Sequence, residues 1–144
     1  METILVLIKP DGVARNLIPE ILHRFQQAGL KIEKMKMGTA DEGLATKHYV
    51  DLKDRQDIYW RNVNTLQEGP LVAVVFSGRN AILRARVTCG ATEPIHGAQP
   101  GTIRGDFGND TIHDADSEKR GLENLVHASD SAATAAREIT LWFP

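Results

Sequence analysis

Two uninterrupted apolar runs constrain the fold of this chain more than any other feature. They cover residues 3–8 and 71–76, and both are rich in β-branched side chains. Turn-forming residues follow the first run at 9–12 and precede the second at 69–70. Such runs predict buried strands, and the first of them is expected to be covered on both faces.

Helical spacing of apolar residues follows the first run. Ile18, Ile21, Leu22 and Phe25 obey the i, i+3, i+4, i+7 pattern of an amphipathic helix. A proline at 19 suits the first turn of this helix, and a glycine at 29 suits the position just beyond its end. Further helices are predicted over 42–52 with Asp41 as N-cap, over 57–66, after an N-cap at Asn80, and from Asp130 or Ser131 to about Glu138.

The other strands are shorter or less regular. Leu30 and Ile32 alternate as in a strand, and Met35 and Met37 alternate with the opposite parity, which predicts a bulge between the pairs. Both methionines are expected to pack in the core. Residues 125–126 predict a last short strand, and residues 139–143 form a final apolar segment.

The span from 90 to 123 is punctuated by glycine and proline and is predicted to be a loop. Its most polar part, 108–123, is expected to be the most mobile. The resulting order of strands separated by helices predicts an α/β layer with one helical face.

Composition limits the class of protein. With 144 residues, 42% hydrophobic and 25% charged, the chain is expected to form a single domain over 1–144. Its net charge of −2 gives no electrostatic basis for binding nucleic acid. A single cysteine, Cys89, excludes an internal disulfide, and no apolar run is long enough for a signal core or a membrane span. We therefore expect a cytoplasmic protein that binds neither membranes nor nucleic acid.

His127 is the first candidate for chemistry. It ends an apolar run and precedes a cluster of small, hydroxylated and acidic residues. A histidine can act as a nucleophile that forms a covalent intermediate. Glu138, on the predicted last helix, could bind one imidazole nitrogen and leave the other free to attack.

Several residues elsewhere are of the types that bind phosphate. Lys9 ends a buried strand, Arg86 lies on a predicted helix, and Arg104 is flanked by glycines. Arginine matches phosphate oxygens with two parallel hydrogen bonds, and Thr92 could add a hydroxyl donor. Glycine-rich phosphate loops and zinc motifs are absent, so side-chain cations would have to hold any phosphate.

Taken together, these segments resemble the nucleoside diphosphate kinase family over essentially the whole chain. The matching segments are 8–13, 48–49, 69–70, Arg86, 90–92, 100–107, 124–131 and 137–138. The resemblance implies a ferredoxin-like α+β sandwich, with helices packed on a four-stranded antiparallel sheet. It implies transfer of the γ-phosphoryl group of a nucleoside triphosphate, typically ATP, to a nucleoside diphosphate by a ping-pong route through phosphohistidine.

The resemblance also implies a role for each matching residue. His127 would be the nucleophile, and Glu138 and Ser129 would orient its imidazole. Phosphates and sugar hydroxyls would be bound by Lys9, Tyr49, Arg86, Thr92, Arg104 and Asn124. Mg²⁺ would arrive with the nucleotide and need no protein ligand. A homo-oligomer is expected, either a tetramer or a hexamer built from dimers.

The chain departs from the family pattern at three places. Ala128 replaces a glycine that many members have after the histidine, and the added methyl group is expected to be tolerated. The region 56–62 has an extra residue and lacks the usual phenylalanine, which leaves Ile58, Tyr59 and Trp60 as candidates for stacking on the base. Extra residues at 109–121 are expected to lie near the nucleotide entrance or at a subunit contact.

Two other classes of function compete with this one. A catalytically weak homologue could act as a nucleotide-binding or protein-interaction module, but the complete set of matching site residues argues against it. An RNA-binding module would need aromatic and basic strands. The strands here are aliphatic, and the chain is slightly negative.

Overall fold

A computed structural model describes residues 1–144 and contains one four-stranded antiparallel sheet with the strand order β2-β3-β1-β4. The strands are β1 (Glu2–Ile8), β2 (Lys31–Gly38), β3 (Leu71–Gly78) and β4 (Val126–Ala128). Helices pack on this sheet, which confirms the predicted ferredoxin-like fold class.

Nine α-helices and one short 3-10 turn connect or follow the strands. They are α1 (Pro10–Ala14), α2 (Ile18–Gln27), α3 (Glu42–His48), the 3-10 turn Val50–Leu52, α4 (Gln56–Leu66), α5 (Ala81–Cys89), α6 (Pro94–Gly97), α7 (Ile103–Phe107), α8 (Ile112–Glu118) and α9 (Ala132–Trp142). None of these helices combines the length and the apolar composition that a membrane crossing requires.

Helices cover both faces of the sheet, so the prediction of one helical face is wrong. Ile4, Val6 and Ile8 of β1 pack against residues of α2 and α5, whereas Leu5 and Leu7 pack against residues of α3, α4 and α9. The reason lies in the sequence of β1 and β3. Successive side chains of a strand point to opposite faces, so an entirely apolar strand needs cover on both.

The edge strand β2 is exposed along most of its length. The predicted bulge is confirmed, because the register of β2 against β3 shifts between Ile32 and Lys34. The expectation that Met35 and Met37 pack in the core is wrong, since they are 52% and 58% exposed. An edge strand has a neighbour on one side only, and beyond the bulge about half of each of these two side chains stays exposed.

Helix ends follow the predicted capping residues in most places. Asp41 accepts a hydrogen bond from the Leu44 N–H, and Ser131 accepts one from the Thr134 N–H. Asn80 does not cap α5 through its side chain and instead has a left-handed backbone conformation. The last helix continues beyond the predicted end, because Ile139, Leu141 and Trp142 extend its buried face.

The predicted loop over 90–123 contains the three short helices α6, α7 and α8. The prediction is therefore wrong at 94–97, 103–107 and 112–118, and the last of these lies in the stretch expected to be most mobile. Local hydrogen bonds explain the helix. Thr111 caps α8 by accepting from the Asp114 N–H, a signal that the polar composition of the stretch obscured.

Candidate active site

A cavity of about 460 Å³ lies beside the adjacent strands β1 and β4. It brings together eight of the nine residues singled out from the sequence. These are Lys9, Tyr49, Arg86, Thr92, Arg104, Asn124, His127 and Glu138. The ninth, Ser129, is fully buried and contacts the carboxylate of Glu138.

The sheet register explains how His127 meets Glu138. His127 lies opposite Leu7 in the antiparallel pair of β4 and β1, so both side chains project from the same face of the sheet. Helix α9 covers that face and carries Glu138. The His127 Nε2 atom lies 2.9 Å from Glu138 Oε1, and the Ser129 hydroxyl donates to the same oxygen at 2.6 Å.

This contact selects a tautomer for the imidazole. A buried carboxylate accepts hydrogen bonds, so Nε2 of His127 carries the proton and Nδ1 carries the lone pair. Nδ1 has no hydrogen-bond partner within the protein, and the side chain keeps 24% of its surface exposed at the cavity. The geometry therefore presents one nucleophilic nitrogen to the cavity.

Lys9 places a buried ammonium group at the end of β1. Its Nζ atom donates to the Leu122 carbonyl and to Asn124 Oδ1, both at 2.8 Å. Burial lowers the pKa of Lys9 to about 8, although the nearby charge of Asp11 acts in the opposite direction. An anionic ligand beside the Lys9 ammonium would therefore raise its pKa and favour its charged form.

Arg104 is tied to three backbone carbonyls around the cavity. Its guanidinium donates to Gly90 O at 2.9 Å, to Asn124 O at 3.1 Å and to Val126 O at 2.6 Å. Burial lowers the pKa of Arg104. Three of the five donors of the fork are used in this way, so Arg104 has a structural role and still keeps donors for a ligand.

Glycine at position 90 is required for this arrangement. Gly90 has a φ of 86°, and a Cβ there would lie 2.4 Å from the Thr102 hydroxyl oxygen. Only a residue without a side chain can adopt this backbone and bring its carbonyl to Arg104.

The other predicted ligand-binding residues surround the same space. Arg86, on α5, is exposed and points towards the Ala128 carbonyl at 3.5 Å. Asn124 donates through Nδ2 to the Thr92 carbonyl at 3.0 Å, which fixes the loop that carries the Thr92 hydroxyl. Tyr49 follows α3, and burial raises the pKa of its phenol, which therefore stays protonated as a donor.

His48 is the residue that the sequence reasoning missed. Its ring lies 4.4 Å from that of His127 in an edge-on contact, and the Trp142 indole N–H donates to its Nδ1 at 3.1 Å. Burial lowers the pKa of His48 well below the usual value, and the charges of His127 and Arg137 act in the same direction. The spacing from Leu44 and Ala45 on α3 was a signal that His48 faces inwards.

One group of side chains could be considered for a metal ion. Ligand atoms of His48, His127 and Glu138 lie within 4.8 Å of one another. However, the Trp142 N–H occupies Nδ1 of His48, so Nε2 carries the proton and has no lone pair to offer. Two nitrogens and one oxygen also differ from the all-oxygen set that Mg²⁺ prefers. The donor set therefore does not fit a resident magnesium ion.

The three candidates for base stacking lie outside the cavity lining. Tyr59 is buried in the core under the sheet, and neither Ile58 nor Trp60 borders the cavity. On this side the cavity is lined instead by Leu52 from the 3-10 turn and by Asn62 from α4.

Comparison with known proteins places the chain among enzymes of nucleotide metabolism. The sequence model described as nucleoside diphosphate kinase matches residues 2–144. The nucleoside diphosphate kinase of Nocardia farcinica is 43% identical over 143 residues, covering 99% of this chain and 95% of its own length. That of Mycobacterium tuberculosis is 42% identical, covering 99% and 97%.

Solved structures agree with the sequence relatives. A transition-state mimic of the nucleoside-diphosphate kinase from Borrelia burgdorferi with bound vanadate and ADP has a TM-score of 0.94 and 38% identity, covering 99% of this chain and 87% of that one. An NDP kinase from Pyrobaculum aerophilum has a TM-score of 0.89 and 35% identity, covering 99% and 96%.

Proposed function

Because the chain belongs to the nucleoside diphosphate kinase family of nucleotide phosphotransferases, we propose that it transfers the γ-phosphoryl group of a nucleoside triphosphate, typically ATP, to a nucleoside diphosphate. We propose that this transfer passes through a phosphohistidine at His127. The observation that carries this proposal is the pairing of His127 Nε2 with buried Glu138, which leaves Nδ1 free at a cavity lined with cations.

The reaction proceeds in two halves. In the first, the Nδ1 lone pair of His127 attacks the γ-phosphorus, an N–P bond forms, and the bond to the β,γ-bridging oxygen breaks. That oxygen keeps the electron pair and leaves as part of the nucleoside diphosphate. In the second, a terminal β-phosphate oxygen of the acceptor diphosphate attacks the same phosphorus, and the N–P bond breaks to restore the imidazole.

Glu138 and Ser129 support both halves. When Nδ1 forms its bond to phosphorus, positive charge develops on the imidazole, and the Glu138 carboxylate at Nε2 stabilises it. The hydroxyl of Ser129 holds the carboxylate in place, so the ring does not have to reorient during the reaction.

The cations act on the phosphate oxygens. Phosphoryl transfer depends mainly on positioning and on neutralising charge at the equatorial oxygens. Lys9, Arg86 and Arg104 line one cavity with His127 and supply that charge, while Tyr49, Thr92 and Asn124 offer polar groups for phosphates and sugar hydroxyls. Mg²⁺ that arrives with the nucleotide would supply further charge neutralisation at the phosphates and would need no protein ligand.

The base is proposed to lie against Leu52 and Asn62, without an aromatic side chain stacked upon it. The gathered set of site residues argues against the alternative of a catalytically weak binding or interaction module.

We further propose that residues 1–144 act as one domain in the cytoplasm, and that the chain forms a tetramer or a hexamer built from dimers. Sedimentation equilibrium would measure the assembly state.

The test of the mechanism is the intact mass of the protein after brief incubation with ATP and magnesium, before and after addition of GDP. We expect a gain of one acid-labile phosphoryl group that GDP removes. His127→Ala should show no gain, whereas the control His23→Ala, on the exposed side of α2, should behave as the wild type. Phosphoenzyme in His127→Ala, or a phosphoryl group that GDP cannot remove, would refute the proposal.

A further inference from the structure

The segment at 109–121 closes on itself through an ion pair between a buried carboxylate and a partly exposed arginine. The Asp110 carboxylate is 5% exposed and accepts from Arg120 Nη1 at 2.6 Å and from Nη2 at 2.9 Å. Arg120 also binds Glu118 at the end of α8. Two parallel hydrogen bonds between groups of opposite charge fix both the distance and the orientation of the two ends of the segment.

The closed segment ends at the cationic side of the cavity. The Asp110 carboxylate also accepts from the Glu123 N–H at 2.8 Å. The residues on either side of Glu123 provide the two acceptors of Lys9 Nζ, namely the Leu122 carbonyl and Asn124 Oδ1. Asp110 is therefore linked to the tripeptide that holds the Lys9 ammonium.

We propose that Asp110 and Arg120 are positioning residues for phosphoryl transfer, because their ion pair fixes residues 122–124 and thereby the ammonium group of Lys9. This inference rests on the proposed function, since it assigns Lys9 to the nucleotide phosphates. Neither residue lines the cavity, so the pair acts through Lys9 and Asn124 and not by touching the substrate.

A second set of contacts holds the same segment to α4 and provides a matched control. Asp116 of α8 binds Arg61 at 2.9 Å, and the Gly121 N–H donates to the Thr65 hydroxyl at 2.9 Å. The Asp116 side chain is 63% exposed, and exposed ion pairs contribute little stability. Loss of the Asp116 charge should leave the Asp110–Arg120 pair and Lys9 in place.

Electrostatics adds a readout that a purely structural role would not move. Besides burial, which lowers the pKa of Lys9, the charges facing this group are Asp11, Glu123 and Asp110, which raise the pKa, and Arg104, which lowers it. Removal of the Asp110 charge should lower the pKa of Lys9 further. The ammonium would then lose its proton at lower pH.

The experiment compares Asp110→Asn, Arg120→Met and the control Asp116→Asn with the wild-type protein. Single-turnover phosphoenzyme formation from ATP and magnesium gives the rate of the first half reaction, and kcat/KM is measured from pH 6.5 to 9.5. We expect the rate to fall about tenfold to a hundredfold in both pair variants, because small misplacement of a catalytic group has effects of this size. The alkaline limb should move to lower pH in Asp110→Asn, whereas Asp116→Asn should match the wild type in both measurements.

Arg120→Met keeps the inference falsifiable if Asp110→Asn does not fold, because the Arg120 side chain is partly exposed and its aliphatic part is retained. A wild-type rate in folded Arg120→Met would overturn the proposal, and so would an unmoved alkaline limb in folded Asp110→Asn. If the wild type forms phosphoenzyme and both pair variants form it at the wild-type rate, this inference alone fails. If the wild type forms none, the proposed function fails and the inference with it.

Discussion

Lys9 makes the unfolding free energy of the ligand-free protein depend on pH in a calculable way. Burial lowers its pKa from the usual 10.5 to about 8 in the folded state. The folded protein therefore holds this proton less tightly than the unfolded chain does. Above the unfolded pKa of 10.5, Lys9 is neutral in both states and does not reduce the unfolding free energy. As the pH falls through about 8, the folded protein must take up the proton, and this part of the unfolding free energy is lost.

The size of the effect follows from the pKa difference. At about 1.4 kcal/mol per pKa unit, the buried charge destabilises the folded protein by about 3 kcal/mol at pH 7. At pH 9.5 the folded state has largely released the proton, and about 1.4 kcal/mol of the destabilisation remains. The wild type should therefore gain about 2 kcal/mol between pH 7 and 9.5, relative to a Lys9→Met variant that lacks the titrating group.

Urea unfolding of both proteins at four pH values and one protein concentration measures this difference. The exposed Lys53→Met variant serves as the control and should run parallel to the wild type. Curves for wild type and Lys9→Met that stay parallel across the range would refute the reasoning about a buried, protonated Lys9. Saturating ADP should flatten the difference, because a bound phosphate favours the ammonium form.

Three further changes test other parts of the site. Arg104→Ala should lower turnover for ADP, GDP, CDP and UDP alike, and a strongly base-dependent loss would contradict the phosphate role. The same variant should reduce the unfolding free energy by about 2–3 kcal/mol, because three backbone carbonyls lose their donor. Trp142→Phe should reduce the unfolding free energy by about 1–2 kcal/mol and release His48 from a single tautomer, and unchanged imidazole ¹⁵N chemical shifts would count against that contact. Asn62→Leu should change KM unequally among the four diphosphates, whereas an equal change would argue against a base at this position.

The parts of the fold that depend on local pattern could be predicted from the sequence. The apolar runs of β1 and β3, the spacing of Ile18 to Phe25, and the caps at Asp41 and Ser131 each involve neighbours along the chain. The same runs also contained the evidence for two helical layers, since a strand that is apolar at every position leaves no face for water.

The parts that depend on contacts between distant segments could not be predicted in this way. The edge position of β2, which exposes Met35 and Met37, follows from the strand order and not from the composition of the strand. The contact of His48 with His127 joins α3 to β4, and no pattern within either segment specifies it. The pairing of Asp110 with Arg120 lies within one segment, but charged residues are frequent there and composition does not specify which of them pair.

Helix α9 sets the spacing between the two side chains that bind the imidazoles of His127 and His48. Glu138 and Trp142 lie four residues apart on the same helix, so their side chains project from one face with a rise of about 6 Å between them. Each reaches a different histidine, Glu138 binding His127 on β4 and Trp142 binding His48 on α3. One added or deleted residue between them would turn Trp142 by about 100° and separate it from its histidine. The number of residues between Glu138 and Trp142 is therefore fixed, and of residues 139–141 only the exposed Thr140 can vary freely in identity, because Ile139 and Leu141 pack against the core.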